Sequence, residues 1–124
     1  MQRDLAVKVL ALAKAVKDAL ADLMATMFII YQPKTWVGVV GEQAIFTVVA
    51  MNVTTYKWYY RSTPSANWSA SSASGNTSKT LTFTSAARNA TYQYRCKLTD
   101  AEGNIIYTET VGFVFIEGGN NNGS

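Results

Sequence analysis

The residues able to do chemistry are few, and their types limit what the chain can be. The sequence contains no histidine and a single cysteine, Cys96. Imidazole acid/base catalysis, Ser-His-Asp and Cys-His nucleophiles and histidine-ligated metals are therefore excluded. One cysteine makes no intrachain disulfide. Asp100 and Glu102, with Asn104, sit in the run Asp100-Ala101-Glu102-Gly103-Asn104. Their oxygens suit a cation, but a tight hairpin loop accounts for the same composition, with Gly103 suited to a positive φ. Neither a glycine-rich phosphate loop nor a paired-carboxylate cleft is legible. No catalytic residue, cofactor or metal site is assigned, and enzyme activity is not expected.

Aromatic side chains are the other candidates. Trp36, Tyr59, Trp68 and Tyr107 fall on outward strand parity or in loops. Exposed rings stack on sugar faces or anchor interfaces. Cover for a sheet edge or a subunit contact is the alternative. Trp68, inside the polar stretch from Ser62 to Ser78, and Tyr59 form the candidate ligand surface, with a host-surface glycan as candidate ligand. The run Lys57-Trp58-Tyr59-Tyr60-Arg61 interleaves bases with aromatics, as single-strand-binding segments do. Alternation turns Trp58 inward and Lys57 outward, which is a plain half-buried strand. The net charge of +3, from eleven bases and eight acids, is too thin for a nucleic-acid footprint, so no nucleic acid is expected. Asn-X-Ser/Thr triplets at Asn52, Asn67, Asn76, Asn89 and Asn122 are expected by chance in a chain this rich in Asn, Ser and Thr.

The elements that position these residues divide near residue 28. With 124 residues, 48% hydrophobic and 15% charged, the chain has room for one folded domain and an appendage, and is not disordered. Residues 1–27 are rich in alanine and leucine and contain no glycine, proline or aromatic residue, which predicts a helix. Asp4, Lys8, Lys14 and Lys17 interrupt its apolar residues, so neither a signal peptide nor a membrane span is predicted, and no membrane partner. Folding in a reducing cytoplasm is the expectation. A stripe of Leu5, Val9, Leu12, Val16, Leu20, Leu23 and Met27, continued by Ile30, follows a heptad pattern with one four-residue stutter after Val16. A helix of this length spans roughly 40 Å, against ~17–20 Å for a typical strand. One small β domain does not easily cover it. Residues 1–30 are therefore read as a coiled-coil-like oligomerisation or docking helix of a homo-oligomer, a parallel trimer being favoured. Packing within the chain is the alternative.

From residue 28 the composition is aromatic, β-branched and rich in Ser and Thr. Strands are predicted at 28–32, 34–40, 44–53, 56–61, 79–85, 91–99 and 105–116. About seven strands, each with one apolar face and no helix between them, predict a mostly β chain whose residues 31–117 form a β-sandwich. The final stretch, 118–124, reads GGNNNGS and is expected to be a flexible tail.

Trp58 in mid-strand, Cys96 on a later strand and Tyr94 two residues before it resemble the immunoglobulin pattern. The segments YKWYYRS, NWSAS, KTLTFTSA and YQYRCKLTDAEGN resemble Ig-like domains of bacteriophage virion proteins and of bacterial surface proteins, over roughly Pro33 to Ile116. The resemblance implies a core containing Trp58, Tyr94 and Cys96. It places the usual partner cysteine at about Val48, so Cys96 is expected to be a small buried hydrophobe. It further implies a capsid decoration protein or head fibre. Such a protein would be assembled in the host cytoplasm, located on the virion and partnered by the major capsid or another virion protein, with weak glycan adhesion. A bacterial surface or secreted adhesin module, and a tail or fibre subunit without ligand, are the alternatives.

Overall fold

The computed structural model describes residues 2–117; the expected tail at 118–124 lies outside the described residues. Helix α1 spans Gln2–Ala25. Ten short strands follow: β1 Phe28–Tyr31, β2 Trp36–Gly38, β3 Gln43–Thr47, β4 Val49–Met51, β5 Thr55–Arg61, β6 Ser69–Ala70, β7 Thr80–Thr84, β8 Gln93–Thr99, β9 Ile105–Tyr107 and β10 Phe113–Phe115. The antiparallel pairs β1–β4 and β3–β7 form one side of the sandwich. The sheet β6-β5-β8-β9 forms the other, and β10 pairs in parallel with β2.

The strands are more numerous and shorter than expected because two predicted runs change partners midway and Ser69–Ala70 adds the short β6. The run 44–53 divides at Val48: β3 pairs with β7 and β4 with β1. The run 105–116 divides after Tyr107. Thr108 N donates to Cys96 O at 2.9 Å, and Thr108 Oγ1 accepts from Cys96 N at 2.9 Å. Tyr94 and Val111 then exchange backbone hydrogen bonds. Two residues, Glu109 and Thr110, lie opposite Arg95 alone, which is a β-bulge, and a bulge bends the strand that carries it. Beyond it the chain leaves β8 for β2.

Alternation decides what is buried. Phe46, Val48, Trp58, Leu81, Cys96 and Leu98 are fully buried. Tyr94 stacks on Phe46 and Phe83, both at 5.2 Å between ring centroids, and Phe113 meets these rings edge-on. Trp58 and Cys96 stand directly opposite each other on β5 and β8, neighbours within one sheet. Val48 occupies the position expected for a partner cysteine and is buried in the same cluster. Trp58 is also the anchor of the long 62–78 connection. Its N donates to Asn76 O at 2.9 Å, its carbonyl accepts from Ser71 N at 3.0 Å, and its Nε1 donates to Ser78 O at 2.8 Å. The connection thus covers the outer edge of β5 beyond the two residues of β6, removing an exposed strand edge.

The boundary between helix and sandwich differs from the sequence expectation of residues 1–30. The helix ends at Ala25, and Phe28–Tyr31 is strand β1, because an aromatic and β-branched run pairs with β4 better than it continues a helix. Ile30 is therefore a strand residue. Met27 leaves the proposed oligomerisation stripe: it lies past the helix end, is 7% exposed and packs in the sandwich core. Asn52, with φ 64°, donates from Nδ2 to Thr26 O at 2.8 Å and ties the helix exit to the β4–β5 turn. Every described side chain from Asp4 to Asp22 is exposed, so this part of the helix is not packed on the sandwich. No described helix is long and apolar enough to cross a membrane.

Two outcomes follow from this core. Trp58→Phe removes the indole donor to Ser78 and part of the ring, and should lower stability by about 1–3 kcal/mol in urea unfolding. Unchanged stability would show that the indole contact does not hold the 62–78 connection. Burial pushes the Cys96 thiol up from 9.0 to about 12. Above pH 9 the unfolded chain releases a proton that the folded chain keeps, so stability present below pH 9 is lost progressively as pH rises toward 12. Between pH 8 and pH 10 the wild type should lose stability while Cys96→Val loses less, and the folded thiol should resist bulky reagents until denatured. Rapid modification of the folded protein would overturn the burial of Cys96.

Candidate functional site

Two surfaces are the candidates once the core is assigned. The first is the apolar stripe of the helix. Leu5, Val9, Leu12, Val16 and Leu20 are 52–66% exposed, and they lie on one side of α1 because they recur at three- and four-residue steps. The side chain of Leu23 lies outside the described residues.

The second is the outer face of β5, β8 and β9. The alternation that buries Trp58, Tyr94, Cys96 and Leu98 turns Thr55, Lys57, Tyr59 and Arg61 outward on β5, and Gln93, Arg95, Lys97 and Thr99 outward on β8. Register then sets the neighbours. Lys57 stands directly opposite Lys97, Tyr59 opposite Arg95 and Arg61 opposite Gln93, while Lys97 also faces Tyr107 on β9. None of β5, β6, β8 and β9 carries an acidic residue. Among the described residues the only ion pair is Lys14–Asp18 on the helix, so all four cations of this face lack an acidic partner.

Aromatic rings hold three of these cations instead, Lys57, Arg61 and Arg95. Trp68, the residue before β6, lies against both Arg61 at 4.5 Å and Arg95 at 4.4 Å, measured from guanidinium carbon to ring centroid. Arg95 also lies 4.1 Å from the Tyr107 ring, so its guanidinium has an aromatic neighbour from each flanking side of β8. Lys57 sits over Tyr59 at 5.6 Å. Arg61 Nε donates to Gln93 Oε1 at 2.7 Å, but the buried Nε of Arg95 has no hydrogen-bond partner among the described residues. Beside the lysines lies a shallow cleft of about 330 Å³, lined by Thr54, Thr55, Tyr56, Lys57, Thr77, Lys97 and Thr99.

The sequence expectation singled out Trp68 and Tyr59 as bare platforms. Both are half-buried, and both rings already carry cations. Arg95, Lys97 and Tyr107 complete the surface. The alternation of QYRCKLT marks Arg95 and Lys97 as outward, but their meeting with Lys57 and Trp68 depends on strand register. Trp36 is not a free ring either: it packs edge-on against Phe113 and Phe115, and its indole lies across Gly38, where any Cβ would collide with it. In the β8–β9 loop, Asp100 accepts from Glu102 N at 2.9 Å, Asn104 N at 2.9 Å and Asn104 Nδ2 at 3.0 Å. The Asn104 side chain chiefly holds its carboxyl below the usual range, and the loop itself occupies these oxygens. Gly103 has φ 87° there, as the hairpin requires.

No family model matches the chain, and no curated protein matches it. Solved structures do. A chain from a mutant titin M10–obscurin-like 1 Ig complex superposes with TM-score 0.51 at 17% identity, covering 74% of this chain and 94% of that one. Another crystal form of the titin M10–obscurin-like 1 Ig complex gives TM-score 0.49 at 19% identity, covering 74% and 95%. Similarity at 17% identity speaks to fold alone, and the fold is an N-terminal helix followed by an Ig-like sandwich.

Proposed function

We propose that the chain is an accessory structural protein of a bacteriophage virion, a capsid decoration protein or head fibre. In this reading the helix associates with other copies, as a parallel trimer, and docks on the major capsid or another virion protein. The Ig-like domain is displayed outward from the particle, with weak glycan adhesion. The observation that supports the reading is the uncovered stripe Leu5, Val9, Leu12, Val16 and Leu20 on a 24-residue helix. Covering such side chains is worth ~1.5–3 kcal/mol each, and three parallel copies cover them mutually. Parallel helices gather three heads at one end, which suits display and raises avidity without new contacts. The buried, unbridged thiol of Cys96 fits assembly in a reducing host cytoplasm.

Leu12→Asp together with Val16→Asp places charges in the proposed seam without touching the sandwich. Light scattering should give a trimer mass for the wild-type chain and a monomer mass for the double variant, with an unchanged near-ultraviolet signal from the head. A monomeric wild type, or a variant mass equal to wild type, would sink the helix-driven assembly. Antiserum against the chain should label purified virions. Labelling of bacterial surfaces instead would favour the adhesin alternative.

A further inference from the structure

We infer that the outer face of β5, β8 and β9 is a binding site for a polyanionic glycan, a sugar chain carrying sulfates or carboxylates. The inference names the ligand class for the adhesive part of the reading above and rests on that part alone, not on the oligomer or the particle.

Three observations converge. The face carries Lys57, Arg61, Arg95 and Lys97 with no acidic residue on its strands and, among the described residues, no ion pair to any of the four. Like charges directly opposite in a ladder repel, and Lys57 and Lys97 are such a pair. An anion between them turns that repulsion into attraction. The cleft beside them adds hydroxyls from Thr54, Thr55, Thr77 and Thr99, which donate hydrogen bonds to sulfate or carboxylate oxygens. Arg95 is the third part. Packed by Trp68 and Tyr107, its guanidinium is held in place. A guanidinium held through its faces presents its in-plane N–H groups to an oxyanion.

The same geometry separates a glycan from a nucleic acid. Sequence-tolerant strand binding uses aromatic faces as stacking platforms for bases. Here Tyr59, Trp68 and Tyr107 each already have a cation against the ring. These three rings position charge, and Tyr56 at the cleft is half-buried, so the surface offers chiefly charge and hydroxyls. It suits a polyanion without bases, and it suits neutral sugar stacking least.

The test uses the full-length chain and immobilised dextran sulfate, polygalacturonate, uncharged dextran and oligothymidylate at fixed ionic strength. Dextran sulfate or polygalacturonate should bind, the tighter of the two naming the anion, while dextran should not bind and oligothymidylate should bind more weakly. Lys57→Gln with Lys97→Gln should weaken glycan binding by about tenfold or more, as expected for losing charge-assisted hydrogen bonds. Arg95→Gln should do the same, and Arg95→Lys should recover part of the loss. Lys8→Gln with Lys17→Gln on the helix should leave binding unchanged. The lysine pair is at the surface, so that variant carries the test if Arg95→Gln does not fold, with near-ultraviolet circular dichroism as the control. Equal loss from the helix variant would reduce the site to diffuse charge and overturn the inference. Tighter oligothymidylate binding would make the face a nucleic-acid surface. Dextran binding as tightly as its sulfate would restore neutral stacking and keep adhesion without this site. Failure of every glycan would remove adhesion altogether, while oligomer mass and virion labelling would still decide the assembly reading.

Discussion

The burial of Trp58 is the constraint on which the rest of the fold depends. Its ring fills the centre of the sandwich with Phe46, Leu81 and Cys96 around it, and its three polar groups all bond to the 71–78 segment. A buried indole N–H needs an acceptor, and Ser78 supplies it only if the connection folds back along β5. One residue therefore links the packing of the core, the protection of a strand edge and the path of the longest connection. That path also brings Trp68 onto the outer face, where it meets Arg61 and Arg95. The inner role of one tryptophan fixes the outer role of another.

The helix and the head divide the chain's apolar surface unequally. The sandwich closes its own core without a disulfide, using aromatic packing and Val48 where the immunoglobulin pattern has a cysteine. It also takes Met27, which packs in the core next to Thr26, the residue clasped by Asn52. The head does not cover Leu5 through Leu20, which stay exposed along the helix. The surplus of apolar side chains on a helix that its own domain leaves bare is the physical basis for the assembly proposed above.

The outer face is organised by the opposite rule. Its strands bury aromatic and aliphatic side chains inward and leave cations outward, with no carboxylate within their sequence to neutralise them. Cation–π contacts stabilise this arrangement locally, but they do not remove its net positive field. The acids of the chain lie elsewhere: on the helix, in the Asp100–Asn104 loop, and at Glu42, Glu109 and Glu117. The charge segregation is legible only when the strands are placed side by side, since the total of +3 is unremarkable.

Much of this architecture is legible in the residues. Alanine and leucine content marks the helix, alternation marks the inward faces of β3, β5, β7 and β8, and the spacing of Trp58, Tyr94 and Cys96 marks the Ig-like sandwich. These are local properties: backbone propensity and side-chain parity are set within a few residues, and composition excludes histidine chemistry outright. Tertiary structure decided the fate of Met27, because it continues the heptad step of the helix and only its packing in the sandwich core takes it out of the stripe. It alone divided two long β runs, because Val48 and the bulge at Glu109-Thr110 mark changes of partner that have no counterpart in hydrophobic pattern. Register, too, belongs to the fold. A pairing of residues 57 and 97, or of 68 with 61 and 95, joins positions distant in the chain, so sequence determined which side chains point outward and the folded sheet determined which of them meet.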